Sequence, residues 1–272
     1  MNYRSVITGA AAAAAALPLF VLAPGSAAKR QRAPFMGRYF AHRGLHTPDR
    51  AIPENSLEAF RLAANKGYGI ELDVRLTRDG KVVVFHDDTL ERMCGDKARV
   101  DEKSYKELQE LTLAGSGSRI PLFTEVLETI GGRGPIIVEL KDGRSNRELC
   151  RKTYKILSSY TGDVCIESFN PFIVAWFRFH GKDLVRGQLS CPQKEYPADM
   201  KKSTSFILSH CLLNVVARPQ FIAYRIGPRP LSVHISEAMG AMKVGWTSHN
   251  KDDYKGRDGV IFEFYKPELK FK

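Results

Sequence analysis

At 272 residues, 43% hydrophobic and 26% charged, the chain carries enough apolar surface to offset the entropy of ordering. That excludes global disorder and leaves room for one large core or two small ones. A formal charge of +11 at pH 7 suits nucleic acid, anionic lipid headgroups or phosphate-bearing small substrates as partners, and also a generally basic solvated surface.

The N-terminal stretch reads as a targeting segment outside the fold. Arg4 supplies a short positive region, Val6 to Ala23 is uncharged and apolar, and Pro24-Gly25-Ser26-Ala27-Ala28 offers small residues to a signal peptidase. Residues 1–28 are expected to be a signal peptide, or else an uncleaved membrane anchor, and the protein to be exported. Lys29, Arg30 and Arg32 lie on the side that the positive-inside rule keeps cytoplasmic, which favours cleavage over an anchor with its N-terminus inside.

From about residue 36, short apolar runs alternate with longer amphipathic ones, the pattern of parallel strands and covering helices. Arg38 to Ala41 is the first predicted strand, followed by a helix from Ser56 to Lys66, with Asn55 or Ser56 suited to N-capping and Gly67 closing its end. Gly69 to Val74 is the second strand, and Lys81 to Phe85 follows the Arg78-Asp79-Gly80 turn. Helices are predicted over Tyr105 to Leu111 and Thr124 to Ile130. The later strands are Ile136 to Leu140, Val164 to Glu167, Leu184 to Leu189, Phe221 to Tyr224, Met242 to Trp246 and Gly259 to Phe262. The five cysteines, Cys94, Cys150, Cys165, Cys191 and Cys211, lack C-x-x-C or zinc-finger spacing, so neither a structural zinc site nor a dense disulfide framework is expected.

Without a repeat or flexible linker, residues 36–272 read as one α/β domain, an open doubly wound sheet or a closed barrel. The polar residues decide between them. His42, Glu71 with Asp73, His86, Glu139 with Lys141, Glu167, Gln188, Arg225 and Trp246 all stand at or just past predicted strand ends. A barrel mouth gathers such residues from nearly every strand, whereas an open sheet concentrates its site at one crevice. The expected fold is a (β/α)8 TIM barrel with a small insertion after the second strand.

In Ile70-Glu71-Leu72-Asp73-Val74 the two carboxylates share one face of a strand and the aliphatic residues the other. Two carboxylates a few ångströms apart need a cation, a shared proton or nearby basic side chains, and a hard divalent ion such as Mg²⁺ or Ca²⁺ is the simplest answer. Glu139 and Lys141 repeat the i, i+2 geometry on a later strand and bring a third carboxylate with an ammonium. His42 and His86, each at a strand end beside this cluster, suit a general acid and base. Arg43 is placed to fork onto a phosphate, with Gly44 letting the backbone turn beneath it. His46, His180, His210, His234 and His249 lack such settings and read as surface or packing residues.

Taken in order, His42-Arg43-Gly44, Pro53-Glu54-Asn55-Ser56, Glu71-x-Asp73, His86-Asp87 and Glu139-x-Lys141 resemble the glycerophosphodiester phosphodiesterase family. The resemblance continues more faintly through Ser168-Phe169-Asn170, Trp246-Thr247 and Asp258-Gly259-Val260-Ile261. It implies a (β/α)8 barrel with Glu71, Asp73 and Glu139 as ligands of one divalent cation, and His42 and His86 as the catalytic pair. Arg43, Glu54 and Lys141 would then bind phosphate or support the metal, and Trp246 would contact substrate. Two features depart from the family's pattern. Glu263 stands where its late strand usually ends in aspartate, and Asn250 lies one residue further from Trp246 than usual, which places substrate choice in doubt more than catalysis.

The implied reaction is hydrolysis of a small-molecule glycerophosphodiester to glycerol 3-phosphate and an alcohol. A lysophospholipase D or sphingomyelinase D activity on the same scaffold is the nearest alternative, with Phe169, Phe172, Trp176 and Phe177 as candidate rim residues. A non-catalytic phosphate- or lipid-binding module is the alternative from another class. Association with a membrane surface fits the charge, whereas nucleic-acid binding has no motif behind it and is not expected.

Overall fold

Side chains alternate across a strand, so a stave buried on both faces needs apolar residues on each. The predicted runs have that pattern, and in the computed structural model, which describes residues 17–271, they close on themselves. The staves are β1 (Arg38–Ala41), β2 (Gly69–Leu76), β4 (Ile136–Leu140), β5 (Val164–Ser168), β6 (Val185–Ser190), β7 (Phe221–Arg225), β8 (Met242–Ser248) and β9 (Gly259–Phe262). All pair in parallel, and β1 joins both β2 and β9, which shuts the barrel. The fold class is the predicted one.

Lys81 to Phe85 yields a strand, β3 (Val82–Val84), but not a stave. It folds back antiparallel on β2, with Val74 opposite Val84 and Leu76 opposite Val82. The short link through Gly80 allows only a hairpin, because a parallel return needs a crossover of about a dozen residues or more. From β3 to Pro121 the chain forms the predicted insertion, which has its own small core of Val83, Phe85, Leu90, Met93, Val100, Leu108, Leu113 and Ile120. The helix expected over residues 105–111 is a single turn, Tyr105–Leu108.

Six principal helices cover the staves: α1 (Leu57–Lys66), α2 (Phe123–Ile130), α3 (Asn146–Leu157), α4 (Pro171–His180), α5 (Lys202–Ser209) and α6 (Leu231–Ala238). Helix α1 is bounded as expected: Ser56 Oγ accepts from Ala59 N–H, and Gly67 closes the end in the left-handed conformation. Between β8 and β9 the helix is reduced to one 3₁₀ turn, Lys251–Tyr254. Outward residues such as Ile70, Leu72, Val138 and Ile166 pack on Phe60, Phe123, Ile173 and Phe177 of the helices. Phe40, Ile137, Cys165, Leu189, Phe221 and Ile261 belong to a second core, inside the barrel. All five cysteines are free thiols, four of them buried.

The segment from residue 20 to residue 28 does not lie outside the fold. Leu22 is buried, Gly25 N–H donates to Pro219 C=O at 2.9 Å, and Gln220 Nε2 donates to Ser26 C=O at 2.9 Å. Small residues that read as a cleavage site also allow close backbone approach, which sequence alone does not distinguish. Residues 1–16 of the expected targeting segment lie outside the described residues. Among the described residues, no helix is long and apolar enough to cross a membrane.

Gly44 sits where the chain leaves β1 and turns beneath α1, with φ +81° and an added Cβ only 2.8 Å from the Ala59 backbone. Gly44→Ala is expected to destabilise the fold by about 1–3 kcal/mol, through strain at a left-handed position and a clash with fixed backbone. Urea unfolding should show a lower midpoint at an unchanged slope.

Candidate active site

The interior of the barrel changes character along its axis. Phe40, Ile137, Cys165, Val244 and Ile261 fill one level, and the residues two positions on, His42, Glu139, Glu167, Trp246 and Glu263, form the next toward the strands' C-terminal ends. Most of these, with Arg43, Glu71, His86, Phe169, Arg225 and Thr247, line a cavity of about 260 Å³ at the mouth.

Strand register puts Asp73 beside Glu139 and Glu139 beside Glu167. Glu71, Asp73 and Glu139 are all buried, and each offers an oxygen within 4.8 Å of the others. Burial, then the charges of Asp73 and Glu139, raise the Glu71 carboxyl well above its usual range. Asp73 goes the other way: burial would raise it, but His86, Lys141, Arg43 and a hydrogen bond from Asn55 Nδ2 at 2.8 Å together hold it well below. Lys141 Nζ lies 2.8 Å from Glu139 Oε1 and 3.4 Å from Asp73 Oδ1. Yet Asp73 Oδ1, which is buried, has no hydrogen-bond partner. A converging set of hard oxygen donors with one left unsatisfied fits an oxygen-seeking divalent cation such as Mg²⁺ or Ca²⁺.

Each expected catalytic histidine is gripped at Nδ1 by a carboxylate. His42 Nδ1 donates to Glu263 Oε2 at 2.8 Å, and His86 Nδ1 to Asp87 Oδ1 at 2.6 Å, which leaves both Nε2 atoms for the cavity. Burial, then Arg43, lower the His42 pKa to about 4 against the opposing pull of Glu263. His86 reaches the mouth by the hairpin. Phe85 N–H donates to Asp73 C=O at 3.0 Å, and Arg75 clamps the His86 carbonyl with Nε at 2.9 Å and Nη2 at 2.8 Å.

Arg43 has φ +53°, its N–H donates to Glu71 Oε2 at 3.0 Å, and its guanidinium meets Glu54 Oε1 at 2.7 Å. Glu54 itself is not among the cavity residues. It is shared between Arg43 and Arg92. Burial opposes this charge, but Arg92 and Arg43 lower its pKa to about 2. Glu54 thus stands beside Arg43 and Arg92, where its carboxylate fixes the Arg43 guanidinium. Lys141 pairs with both Asp73 and Glu139 and lines an adjoining groove with His86, Glu139 and Phe169. Trp246 lines the mouth as expected, its indole N–H donating to Ala223 C=O at 3.0 Å.

The sequence reading missed what four residues in and around the mouth do. Glu263, read as affecting the substrate rim and the closing strand, holds His42 directly. His46 and His249, read as surface or packing residues, lie 3.6 and 3.9 Å from the same carboxylate. Asn55, read as an alternative N-cap for the first helix, leaves that position to Ser56 and with a φ of +56° turns its amide to Asp73 instead. Of the four candidate rim aromatics only Phe169 lines the cavity; Phe172 stands exposed on the mouth side at the start of α4, Phe177 is core, and Trp176 stacks on His180.

A profile of the glycerophosphoryl diester phosphodiesterase family matches residues 42–263. A glycerophosphodiester phosphodiesterase of Caldanaerobacter subterraneus is 36% identical over 144 residues, 48% of this chain and 58% of the relative. A lysophospholipase D of Rattus norvegicus is 32% identical over 145 residues, 48% of this chain and 44% of the relative. The chain thus spans about half the length of these curated relatives. In fold it is similar to a phosphodiesterase of Oleispira antarctica solved with the product sn-glycerol-3-phosphate, at a TM-score of 0.68 and 21% identity, covering 84% of this chain and 93% of that one.

Burial leaves Glu71 and Glu167 holding protons in the folded chain above pH 4.5, where unfolded carboxyls lose them. Stability from these groups is whole below 4.5 and is lost as pH rises through their raised folded-state values. His42 acts oppositely, costing stability as pH falls from 6.5 toward 4. In chelator, the two carboxyls are therefore expected to pull Tm down as pH rises above 4.5, against a gain from His42 that ends near 6.5, its unperturbed value. Mg²⁺ or Ca²⁺ at pH 8 should recover the lost stability, and Glu71→Gln should weaken both effects. A chelated protein with a flat profile and no response to either ion would remove the metal site.

Proposed function

The chain belongs to the glycerophosphoryl diester phosphodiesterase family, and we propose that it hydrolyses a glycerophosphodiester to glycerol 3-phosphate and an alcohol. The observation that carries this reading is the pairing of two carboxylate-held imidazoles with a buried three-carboxylate cluster across one small cavity. Glu71, Asp73 and Glu139 would hold one Mg²⁺ or Ca²⁺, which when bound polarises phosphoryl oxygens and stabilises charge in the transition state.

The chain's own groups do the rest. Arg43, fixed by Glu54 and the Glu71 carboxylate, presents positive charge to the phosphate. One Nε2 accepts the proton of the attacking hydroxyl, either water or the substrate's neighbouring glycerol hydroxyl. The other donates a proton to the departing alkoxide. His42, kept neutral at pH 7 by burial and Arg43, suits the accepting role. Glu263 and Asp87 hold the two rings so that Nε2 is the working atom. If the glycerol hydroxyl attacks first, a cyclic phosphate forms and water then opens it with the proton roles reversed.

A second reading rests on the apolar side of the mouth, where Phe169 packs edge-on against Trp246 with Leu189 and Ile261 nearby. Such a wall accommodates an acyl-bearing leaving group, the lysophospholipase D alternative. The exported location inferred from residues 1–28 is compatible with either.

Release of glycerol 3-phosphate from choline, ethanolamine, glycerol and inositol diesters, with lysophosphatidylcholine in parallel, tests the two readings. The deacylated diesters are expected to turn over fastest, with all turnover lost in EDTA and restored by Mg²⁺ or Ca²⁺. Turnover of lysophosphatidylcholine alone would select the second reading, and full activity in EDTA would remove the metal from the reaction.

His42→Ala and His86→Ala are each expected to lower kcat by roughly 10²-fold or more, the usual contribution of a positioned proton-transfer group. The double variant should lose much less than the product of the two, since groups acting as one unit are not additive. A nitrophenyl diester, whose leaving group needs little protonation, should partly rescue the variant lacking the acid and not the one lacking the base. Near-normal kcat in both single variants on the natural diester would return these histidines to structural roles.

A further inference from the structure

The strands' N-terminal ends, opposite the mouth, carry a built attachment for the start of the described chain. Arg218 Nη1 donates to the carbonyls of Phe20 at 2.7 Å and Ala23 at 2.8 Å, and Ser236 Oγ donates to that of Leu22 at 2.8 Å. A Cβ on Gly25 would lie 2.4 Å from the Arg218 carbonyl, so this segment approaches more closely than other residues allow. Further on, Arg32 Nη1 donates to Gly240 C=O at 3.2 Å. While the barrel fixes this path, Leu17, Leu19 and Phe20 remain exposed on its outer side. Met36, just before β1, and Met239, just after α6, are exposed at the same end, together with Lys29 and Arg30.

We propose that this face of the barrel docks on an anionic lipid bilayer, with the mouth opening away from it. The packing of Leu22, Gly25 and Ser26 on the barrel speaks for a retained segment in place of the cleaved one expected from sequence, and the uncharged run that leads into it from Val6 fits a membrane interior. Lys29 and Arg30 follow at headgroup level, where an anionic surface attracts them. Separated apolar tips among cations suit a fluid interface better than the continuous, shape-matched patch of a protein partner. The mouth rim also exposes apolar side chains, Phe172, Leu231 and Phe264, but no anchored segment leads from it into an apolar run. Docking by the opposite face turns the catalytic cavity toward bulk water. This orientation does not depend on which diester is cleaved.

Helix α6 supplies the test, because Leu231 begins it on the mouth side and Met239 follows its last residue on the other, about 12 Å apart at 1.5 Å per residue. Full-length protein with Cys94→Ser and either Leu231→Cys or Met239→Cys, labelled with a dye, is reconstituted in phosphatidylglycerol–phosphatidylcholine vesicles bearing a nitroxide headgroup. The label at 239 is expected to be quenched several-fold more than the label at 231, and Lys29→Glu with Arg30→Glu should reduce that quenching. Equal or stronger quenching at 231 would overturn the proposal, as would quenching at 239 that ignores the charge reversal. Shielding of the 239 label in lipid-free detergent, with sedimentation as a dimer, would assign the face to a second copy and overturn it as well.

Discussion

Three carboxylates held within 4.8 Å of one another and out of water are a state that a chain does not reach unless something rigid imposes it. Here the imposing element is the barrel wall. Glu71 and Asp73 share one face of β2, and backbone pairing sets Asp73 beside Glu139, so their separation follows from strand geometry rather than from side-chain choice. What surrounds them is partial neutralisation. Lys141, Arg43 and Asn55 reach Asp73, and one backbone N–H and no side-chain hydrogen bond reaches Glu71. The two acids are accordingly driven in opposite directions, Asp73 toward the charged form and Glu71 toward the protonated one. A lone divalent cation would reverse the second shift without disturbing the first, since both anions gain from it.

The same wall explains how two histidines from different parts of the chain face one cavity. His42 continues β1 directly. His86 arrives by an indirect route, because β2 overruns the mouth and β3 brings the chain back to it. A hairpin end standing away from a barrel is free to sway, and Arg75 counters this by fastening the His86 carbonyl while also pairing with Asp88 at 2.6 Å. The insertion's separate core of aliphatic and aromatic residues gives the hairpin something to rest on. Packing in a region with none of the three clustered carboxylates therefore sets where one of the two cavity imidazoles stands.

Much of this was legible in the sequence for a physical reason: period-two alternation places apolar and acidic residues on opposite faces whatever the tertiary fold, so Glu71, Asp73 and Glu139 announce a shared inner face on their own. Helix α1 was equally legible, because Ser56 and Gly67 are chosen by local backbone geometry. The illegible parts depend on distance through space. Glu54 and Arg43 are near in sequence, yet the role of Glu54 is settled by Arg92, which comes from the insertion. His46 follows β1 and His249 follows β8, and they converge on Glu263 because β9 pairs with both strands. The segment around Gly25 has no periodic signal at all, and its place is fixed by Arg218 and Gln220 far along the chain.

Glu263 shows how a departure from a family pattern can be absorbed. An aspartate at the end of β9 would have a carboxylate one methylene shorter, reaching less far from the backbone. With glutamate, Oε2 lies 2.8 Å from His42 Nδ1, while Oε1 is 3.9 Å from His249 Nε2, so a single carboxylate after β9 reaches residues that follow both of its neighbours, β1 and β8. Burial would raise this carboxyl, but the His42 hydrogen bond and the neighbouring imidazoles lower it, and it stays an acceptor at neutral pH. An ionised acceptor at Nδ1 keeps the proton there, and with it the lone pair of Nε2 turned to the cavity. The longer side chain thus preserves the orientation of His42 and draws His249 and the adjoining Phe264 into the rim. The orientation of the His42 ring and the shape of the rim are coupled at this one position.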